Sequence, residues 1–118
     1  MAGIAVKRAY DPPAPDDGAR VLVDRLWPRG LTHEALALDL WLKEIAPTDA
    51  LRHEFHHDPA LWSEFQRQYA AELEANPAAV QTLRELVATG PVTLIYAAKD
   101  ETHNNAVALR DWLKGRDR

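Results

Sequence analysis

Residues 92–98, with the sequence VTLIYAA, constrain the fold more than any other part of the chain. This apolar run begins after Gly90 and Pro91 and ends at the polar stretch KDETHNN. A strand without apolar–polar alternation has to be covered on both faces, which is typical of a parallel sheet with helices packed against it. We therefore predict a buried strand here, followed by a helix over residues 106–113.

The first half of the chain combines short strand-like runs with turn formers. Residues 4–9 and 20–24 have strand character, and the run DPPAPDDG at 11–18 separates them. The segment LWPRGLTHEA at 26–35 contains a proline and a glycine and predicts irregular structure. Residues 38–42 fit either a strand or a helix.

Three helix starts are visible in the middle of the chain. Thr48 suits the N-cap of a short helix through about residue 56. The pairs Asp58-Pro59 and Asn76-Pro77 each place a capping residue before a proline, and apolar residues then recur at helical spacing. The order of elements predicts one α/β domain over residues 1–118. We expect a three-layer, Rossmann-like domain with a small, mostly parallel sheet flanked by helices.

Composition excludes several classes of function. The 118 residues include no cysteine, which excludes disulfides, thiol nucleophiles and Cys-ligated metals. The formal net charge of −4 argues against a general nucleic-acid binder, which normally carries a basic field. No apolar run reaches transmembrane length, and the N-terminal residues lack a signal-peptide pattern. We expect a cytoplasmic protein with no membrane or nucleic-acid partner.

The stretch RHEFHHDP at 52–59 contains His53, Glu54 and His57 in the H-E-x-x-H spacing of zinc metalloproteases. Helical geometry argues against a metal site. At about 100° per residue, His53 lies roughly 200° from Leu51, whose apolar side chain should face the core. The histidines then point away from any enclosed cleft. We expect no catalytic metal and no cofactor, and at most adventitious binding of divalent ions by His53, His56 and His57.

The loop DRLWPRG at 24–30 is the first candidate site, because it follows a predicted strand. Ligands of open α/β sheets bind beyond the carboxyl ends of the strands. Arg25 and Arg29 present planar guanidinium groups suited to phosphate or carboxylate, and Trp27 could stack on a ring. The structural alternative is that Trp27 packs in the core and the arginines pair with acids such as Asp24.

The loop AAKDETHNN at 97–105 is the second candidate, because it joins the strongest strand to the last helix. Lys99, His103 and Asn104 could bind an anion beside the helix N-terminus, where free backbone N–H groups point outward. If a reaction occurs, His103 with Asp100 is the candidate acid–base pair. Asp100 could instead serve only as a helix cap. If the two loops converge, they would form a basic cleft for a small anionic, phosphate- or nucleotide-like ligand.

A protein-interaction module without catalysis is the alternative function. Trp41, Trp62 and Trp112 exceed what a small core requires, and exposed tryptophans would serve as anchors for a partner or for self-association.

Five stretches of the chain resemble the YeaO-like family, a branch of a bacterial domain family of unknown function. They are VKRAYDPP, DGARVLVDRLWPRG, DLWLKEIAPT, FHHDPALWSEFQRQYAAEL and VTLIYAAKDETHNNAVALRDWL, and they cover most of the chain. The resemblance implies a small cytoplasmic α/β domain with no established reaction.

The resemblance also bears on the two loops. The family pattern carries residues matching Arg25, Trp27 and Arg29, and also the pairs Lys99-Asp100 and His103-Asn104. Longer relatives have cysteines at the positions of Ala97 and Thr102. This chain has none, so thiol chemistry does not carry over.

Overall fold

The computed structural model describes residues 3–56 and 58–116, without the side chain of Arg116, and its centre is a four-stranded parallel sheet. The strand order is β1-β4-β2-β3. This arrangement confirms the predicted α/β class with a parallel sheet. The strands are β1 Ile4–Arg8, β2 Ala19–Leu22, β3 Leu40–Trp41 and β4 Val92–Tyr96.

β4 lies between β1 and β2 and hydrogen-bonds to both. Val92 is in register with Ile4 on one side and with Ala19 on the other. All five residues of β4 are buried, as the apolar run predicts. The strand ends at Tyr96, two residues earlier than expected, because Ala97 begins the turn toward the last helix.

Five helices accompany the sheet in the described residues. The capping prediction at Thr48 is confirmed, since Thr48 Oγ1 accepts from the Leu51 N–H. Asp58 Oδ1 accepts from the Ala60 N–H and begins a 3-10 turn over Pro59–Leu61 that leads into α3. Asn76 stands before α4 but its side chain makes no capping bond. None of these helices is long and apolar enough to cross a membrane. The helices are α1 His33–Leu36, α2 Asp49–Phe55, α3 Trp62–Glu74, α4 Pro77–Thr89 and α5 Asn105–Arg116.

Helix α1 contradicts the expectation of irregular structure over residues 26–35. The Thr32 hydroxyl accepts a hydrogen bond from the Ala35 N–H and begins one helical turn. The turn ends at Ala37, whose φ of 50° lies in the left-handed region. The prediction was wrong because Pro28 and Gly30 exclude helix only around themselves, and a capping threonine two residues later suffices for a single turn.

The two faces of the sheet are covered differently. Val21 and Leu94 point to the face on which α2–α5 pack and form the main core. Their strand neighbours Leu22 and Ile95 point to the opposite face, because side chains alternate along a strand. There they meet Leu36 of α1, so the layer over the second face is thin and consists of α1 with its flanking loops.

A buried ion pair fixes α1 to this second face. Arg20, 4% exposed, donates from Nη1 to Asp17 Oδ2 and from Nε and Nη2 to the Leu36 carbonyl. Lys7 Nζ donates to the other oxygen of Asp17 at 2.8 Å. Burial of the Asp17 carboxyl raises its pKa, but the hydrogen bonds from Lys7, the Ala14 N–H and Arg20 outweigh burial and lower it from its ordinary value.

The Asp17→Asn variant should be less stable in a pH-dependent way. Because the folded-state pKa of Asp17 lies below the unfolded one, its contribution is fully present above about pH 4 and is lost as the pH falls through the folded-state pKa. Leaving Arg20 without its counter-ion should cost roughly 3 kcal/mol at pH 7. Urea denaturation between pH 3 and pH 7 measures this difference, and a difference independent of pH would contradict it.

Gly18→Ala should also destabilise the fold. Gly18 has a φ of 65°, and an added Cβ would lie 2.2 Å from the Pro91 carbonyl oxygen. That oxygen accepts the Ala19 N–H at 3.0 Å, so neither backbone can withdraw without losing the bond. We expect a loss of about 2 kcal/mol or more in the free energy of unfolding. Gly3→Ala is the matched control, because its Cβ would meet nothing within 4 Å; equal losses in both variants would refute the steric explanation.

Candidate functional site

The carboxyl ends of β2 and β4 are adjacent, and the chain leaves them in opposite directions. After β2 it runs to α1 on the second face, and after β4 it runs to α5 on the first. A crevice forms at such a point in open α/β sheets, because neither connection crosses the gap between the two strands. The fold therefore creates a ligand-sized opening at this edge.

A cavity of about 330 Å³ lies at this edge, within the size range of small-molecule sites. It gathers residues from the loops after β1, β2 and β4 and from helices α2, α3 and α5. The lining residues are Tyr10, Asp24, Arg25, Leu26, Trp27, Pro28, Arg29, Ala46, Pro47, Arg52, Phe55, Phe65, Ala97, Ala98 and Asn105.

Asp24 ties together the ends of the two central strands. Its Oδ2 accepts the Ala97 N–H at 2.9 Å, and its Oδ1 accepts from Asn105 Nδ2 at 3.0 Å. Asn105 Nδ2 also donates to the Val23 carbonyl at 3.0 Å. These bonds hold the loops after β2 and β4 in a fixed relation. The cavity is therefore preformed.

Arg25 is the least satisfied charged residue that lines this cavity. Its Nη2 donates to the Ala46 carbonyl at 3.0 Å, but its Nε is buried and has no hydrogen-bond partner among the described residues. The side chain is half-buried, and no carboxylate of the described residues forms an ion pair with it. A buried donor without a partner costs about 1–3 kcal/mol, and more when the group is charged.

Arg29 and Arg52 bring two further guanidinium groups to the lining. Arg29 is exposed, and in residues 3–56 and 58–116 its side chain forms no ion pair. Arg52 pairs with Asp49 at 2.9 Å on the exposed side of α2. Sequence reasoning missed Arg52 as a site residue. The signal was present, because Arg52 stands three residues before buried Phe55 and so borders the same face of the helix.

Trp27 lines the cavity, but its ring packs within the protein. Its centroid lies 4.3 Å from the His33 ring and 5.5 Å from the Trp41 ring. Its Nε1 donates to the Leu31 carbonyl at 2.8 Å. These contacts fit the structural alternative for Trp27 better than a role in stacking on a ligand.

The second candidate loop contributes Ala97, Ala98 and Asn105 to the cavity, whereas Lys99, His103 and Asn104 are not among its lining residues. Lys99 is exposed. Asn104, 1% exposed, donates from Nδ2 to the Asp100 carbonyl and accepts the Val107 N–H, which begins α5. The structure thus brings together Arg25, Trp27 and Arg29 but leaves Lys99, His103 and Asn104 outside.

The pair His103 and Asp100 forms a local turn beside this cavity. Backbone hydrogen bonds from Thr102 and His103 lower the pKa of Asp100 to about 2, so the carboxylate stays ionised near neutral pH. His103 Nδ1 lies 3.1 Å from Asp100 Oδ2, and the His103 ring meets Trp62 edge-on. Asp100 closes a turn before α5 but does not cap the helix, because Asn104 accepts the Val107 N–H at the helix start. The capping role expected for Asp100 is therefore wrong. A catalytic role of the pair remains a prediction.

The histidine-rich stretch lies on the outside of α2. His53 and Glu54 are exposed, whereas Leu51 and Phe55 are buried, so the predicted orientation of this helix is confirmed. His57 lies outside the described residues. Within those that the structure does describe, no three His, Asp or Glu side chains are grouped as a metal site requires.

Comparisons with known proteins match nearly the whole chain. The model of a family described as "Inactive DUF488-N3 subclade" matches residues 3–117. The chain is 46% identical over 111 residues to the uncharacterized protein YeaO of Escherichia coli (strain K12), a match that covers 94% of this chain and 96% of that protein. No solved structure matches.

More distant relatives come from mycobacteria. The uncharacterized proteins Mb3100c of Mycobacterium bovis and Rv3073c of Mycobacterium tuberculosis are each 38% identical over 113 residues. These matches cover 96% of this chain and 95% of each relative. Together with the YeaO match, they confirm the YeaO-like resemblance.

Replacing Arg25 should affect stability far less than replacing Arg20. Arg25→Met removes one hydrogen bond but also a buried donor without a partner, so we expect a change of less than about 1 kcal/mol, or a gain. Arg20→Met leaves Asp17 buried beside an apolar side chain and should cost roughly 3 kcal/mol. Chemical denaturation of both variants compares them; equal losses would show that Arg25 is a structural residue like Arg20.

Proposed function

Since this chain belongs to the inactive DUF488-N3 subclade, we propose that it is a binding domain without catalysis, whose ligand is a small phosphate- or nucleotide-like anion. The ligand binds in the cavity at the carboxyl ends of β1, β2 and β4. A cytoplasmic location stays a prediction.

The half-buried guanidinium of Arg25, which forms no ion pair among the described residues, is the observation that carries this proposal. A half-buried guanidinium without a counter-ion is unfavourable, and folding alone does not supply the missing acceptor. An anion in the cavity would supply the counter-ion and accept from the Nη groups of Arg25, since the Nε has no exposed surface. Proteins commonly retain such locally unfavourable groups where a ligand needs them.

The charge of the lining supports the same conclusion. Three arginines and one carboxylate, Asp24, line the cavity. Arg52 is paired with Asp49, but Arg25 and Arg29 form no ion pair among the described residues. The two Asp24 oxygens already accept from the Ala97 N–H and from Asn105. The whole protein carries a formal net charge of −4, so the basic lining of this cavity is opposite in sign to the net charge of the protein. Arginine is suited to the role because its planar group can donate two parallel hydrogen bonds to phosphate or carboxylate.

The proposal of binding without catalysis rests on the lining and on the family. Apart from the arginines, the ionisable side chains among the described lining residues are Tyr10 and Asp24. The candidate acid–base pair, His103 with Asp100, lies outside this lining and forms a turn. The word "inactive" in the family's description agrees with a site that binds a ligand but does not transform it.

The alternative role as a protein-interaction module has less support. Trp41, Trp62 and Trp112 are each half-buried, so none of the three presents a fully exposed aromatic anchor. Trp62 stacks on Phe65, and Trp41 donates its Nε1 to the Asp24 carbonyl.

Thermal-shift measurements with inorganic phosphate, sulfate, pyrophosphate and nucleoside monophosphates test the proposal. A ligand at ten times its Kd should stabilise the protein by about 1.4 kcal/mol, or about 5 °C in Tm. Arg29→Ala should fold normally because Arg29 is exposed, and it should bind the anion roughly tenfold more weakly, because a charge-assisted hydrogen bond is lost.

Arg67→Ala is the matched control. It removes the same charge from the exposed surface of α3, where Arg67 pairs with Glu64 and does not line the cavity. Its ligand-induced shift should equal that of the wild-type protein. The proposal fails if no anion raises Tm, or if the two variants lose the shift equally.

A further inference from the structure

Building on the proposed anion site, we propose that the Tyr10 ring is the stacking surface for a planar ring in the same ligand. The ligand would then join an aromatic ring to its anionic group, as in a nucleoside monophosphate. A bare phosphate or a sugar phosphate would use only part of the site.

Tyr10 is placed at the mouth of the cavity beside the arginines. It follows β1, lines the cavity and is 44% exposed. Its hydroxyl donates to the Arg29 carbonyl at 2.9 Å. The ring is therefore attached to the loop that carries Arg29, and a ligand held by that guanidinium lies within reach of the ring.

Arg8 covers one face of the Tyr10 ring. The Arg8 Cζ lies 5.1 Å from the ring centroid, and Arg8 Nε donates to the Ala98 carbonyl at 2.9 Å. The loop after β2 thus holds the ring at its hydroxyl. Arg8, which is hydrogen-bonded to the loop after β4, covers one face of the ring. Because little rotational freedom remains to be lost, stacking on the free side costs little conformational entropy.

The other rings in the described lining already stack within the protein. Trp27 packs on His33 and Trp41. Phe55 and Phe65 are buried and stack on each other with centroids 4.5 Å apart. Among the lining residues that the structure describes, Tyr10 carries the most exposed ring. The stacking role that the sequence suggested for Trp27 therefore fits Tyr10.

The size of the cavity fits one ring with one anionic group. At about 330 Å³ it lies at the small end of ligand sites, which favours a mononucleotide-sized molecule over a dinucleotide. Stacking of this kind tolerates different rings, so an aryl phosphate and a nucleoside monophosphate should both benefit.

Calorimetric titration with four probes tests this inference: inorganic phosphate, ribose 5-phosphate, phenyl phosphate and AMP. In the wild-type protein the two ring-bearing probes should bind at least about fivefold more tightly than ribose 5-phosphate. Tyr10→Leu should abolish this preference while inorganic phosphate still binds. Tyr10→Phe keeps the ring but loses the bond to the Arg29 carbonyl, and it should keep most of the preference. Nuclear Overhauser contacts between the Tyr10 ring and the protons of phenyl phosphate in the wild-type protein give a readout that needs no variant.

The outcomes separate the inference from the function on which it rests. If phosphate binds and Arg29→Ala weakens it, but the ring gives no advantage or Tyr10→Leu retains that advantage, the stacking role is refuted and the anion site stands. If none of the four probes binds, both are refuted. A preference for AMP without one for phenyl phosphate would indicate recognition of the nucleoside by hydrogen bonds and would overturn the assignment of Tyr10 as a general stacking surface.

Discussion

The pairing of β4 with β1 on one side and β2 on the other is the interaction on which the rest of the structure depends. Parallel strands end at the same edge of a sheet, so this pairing gathers the loops after all three strands at one place. Asp24 then joins the ends of β2 and β4 through the Ala97 N–H and Asn105. The cavity is a consequence of strand order, because its residues come from segments far apart along the chain.

Arg20 and Arg25 are both removed from solvent at least in part, but their guanidinium groups differ in hydrogen bonding. Arg20 lies under α1 and donates from all three of its guanidinium nitrogens, and together with Asp17 and Lys7 it attaches a thin covering layer to the sheet. Arg25 lines the cavity, and its Nε has no partner among the described residues. Arg20 stabilises the fold, whereas the incompletely bonded Arg25 is locally destabilising. This contrast, more than the number of basic residues, distinguishes a structural arginine from a candidate ligand-binding one.

Much of the architecture could be predicted from sequence, because local patterns determine strands and caps. The unbroken apolar run predicted β4, a capping preference predicted the Thr48 cap, and helical periodicity predicted the exposed position of His53 on α2. Helix α1 did not, because a single turn capped by Thr32 has too few residues to show a period. The candidate site was predicted in part. Arg25 and Arg29 follow a strand directly, so their position could be read from the chain.

The sequence by itself determined the class of the fold, the central buried strand, the capped helices and the presence of arginines after a strand. Each of these depends on residues within a few positions of one another. Only the tertiary structure decided which side chains share the cavity: it added Arg52 and Tyr10 and left Lys99 and His103 outside the lining. The physical reason is that strand order and the direction in which each loop leaves the sheet bring distant residues together, and no local pattern encodes either.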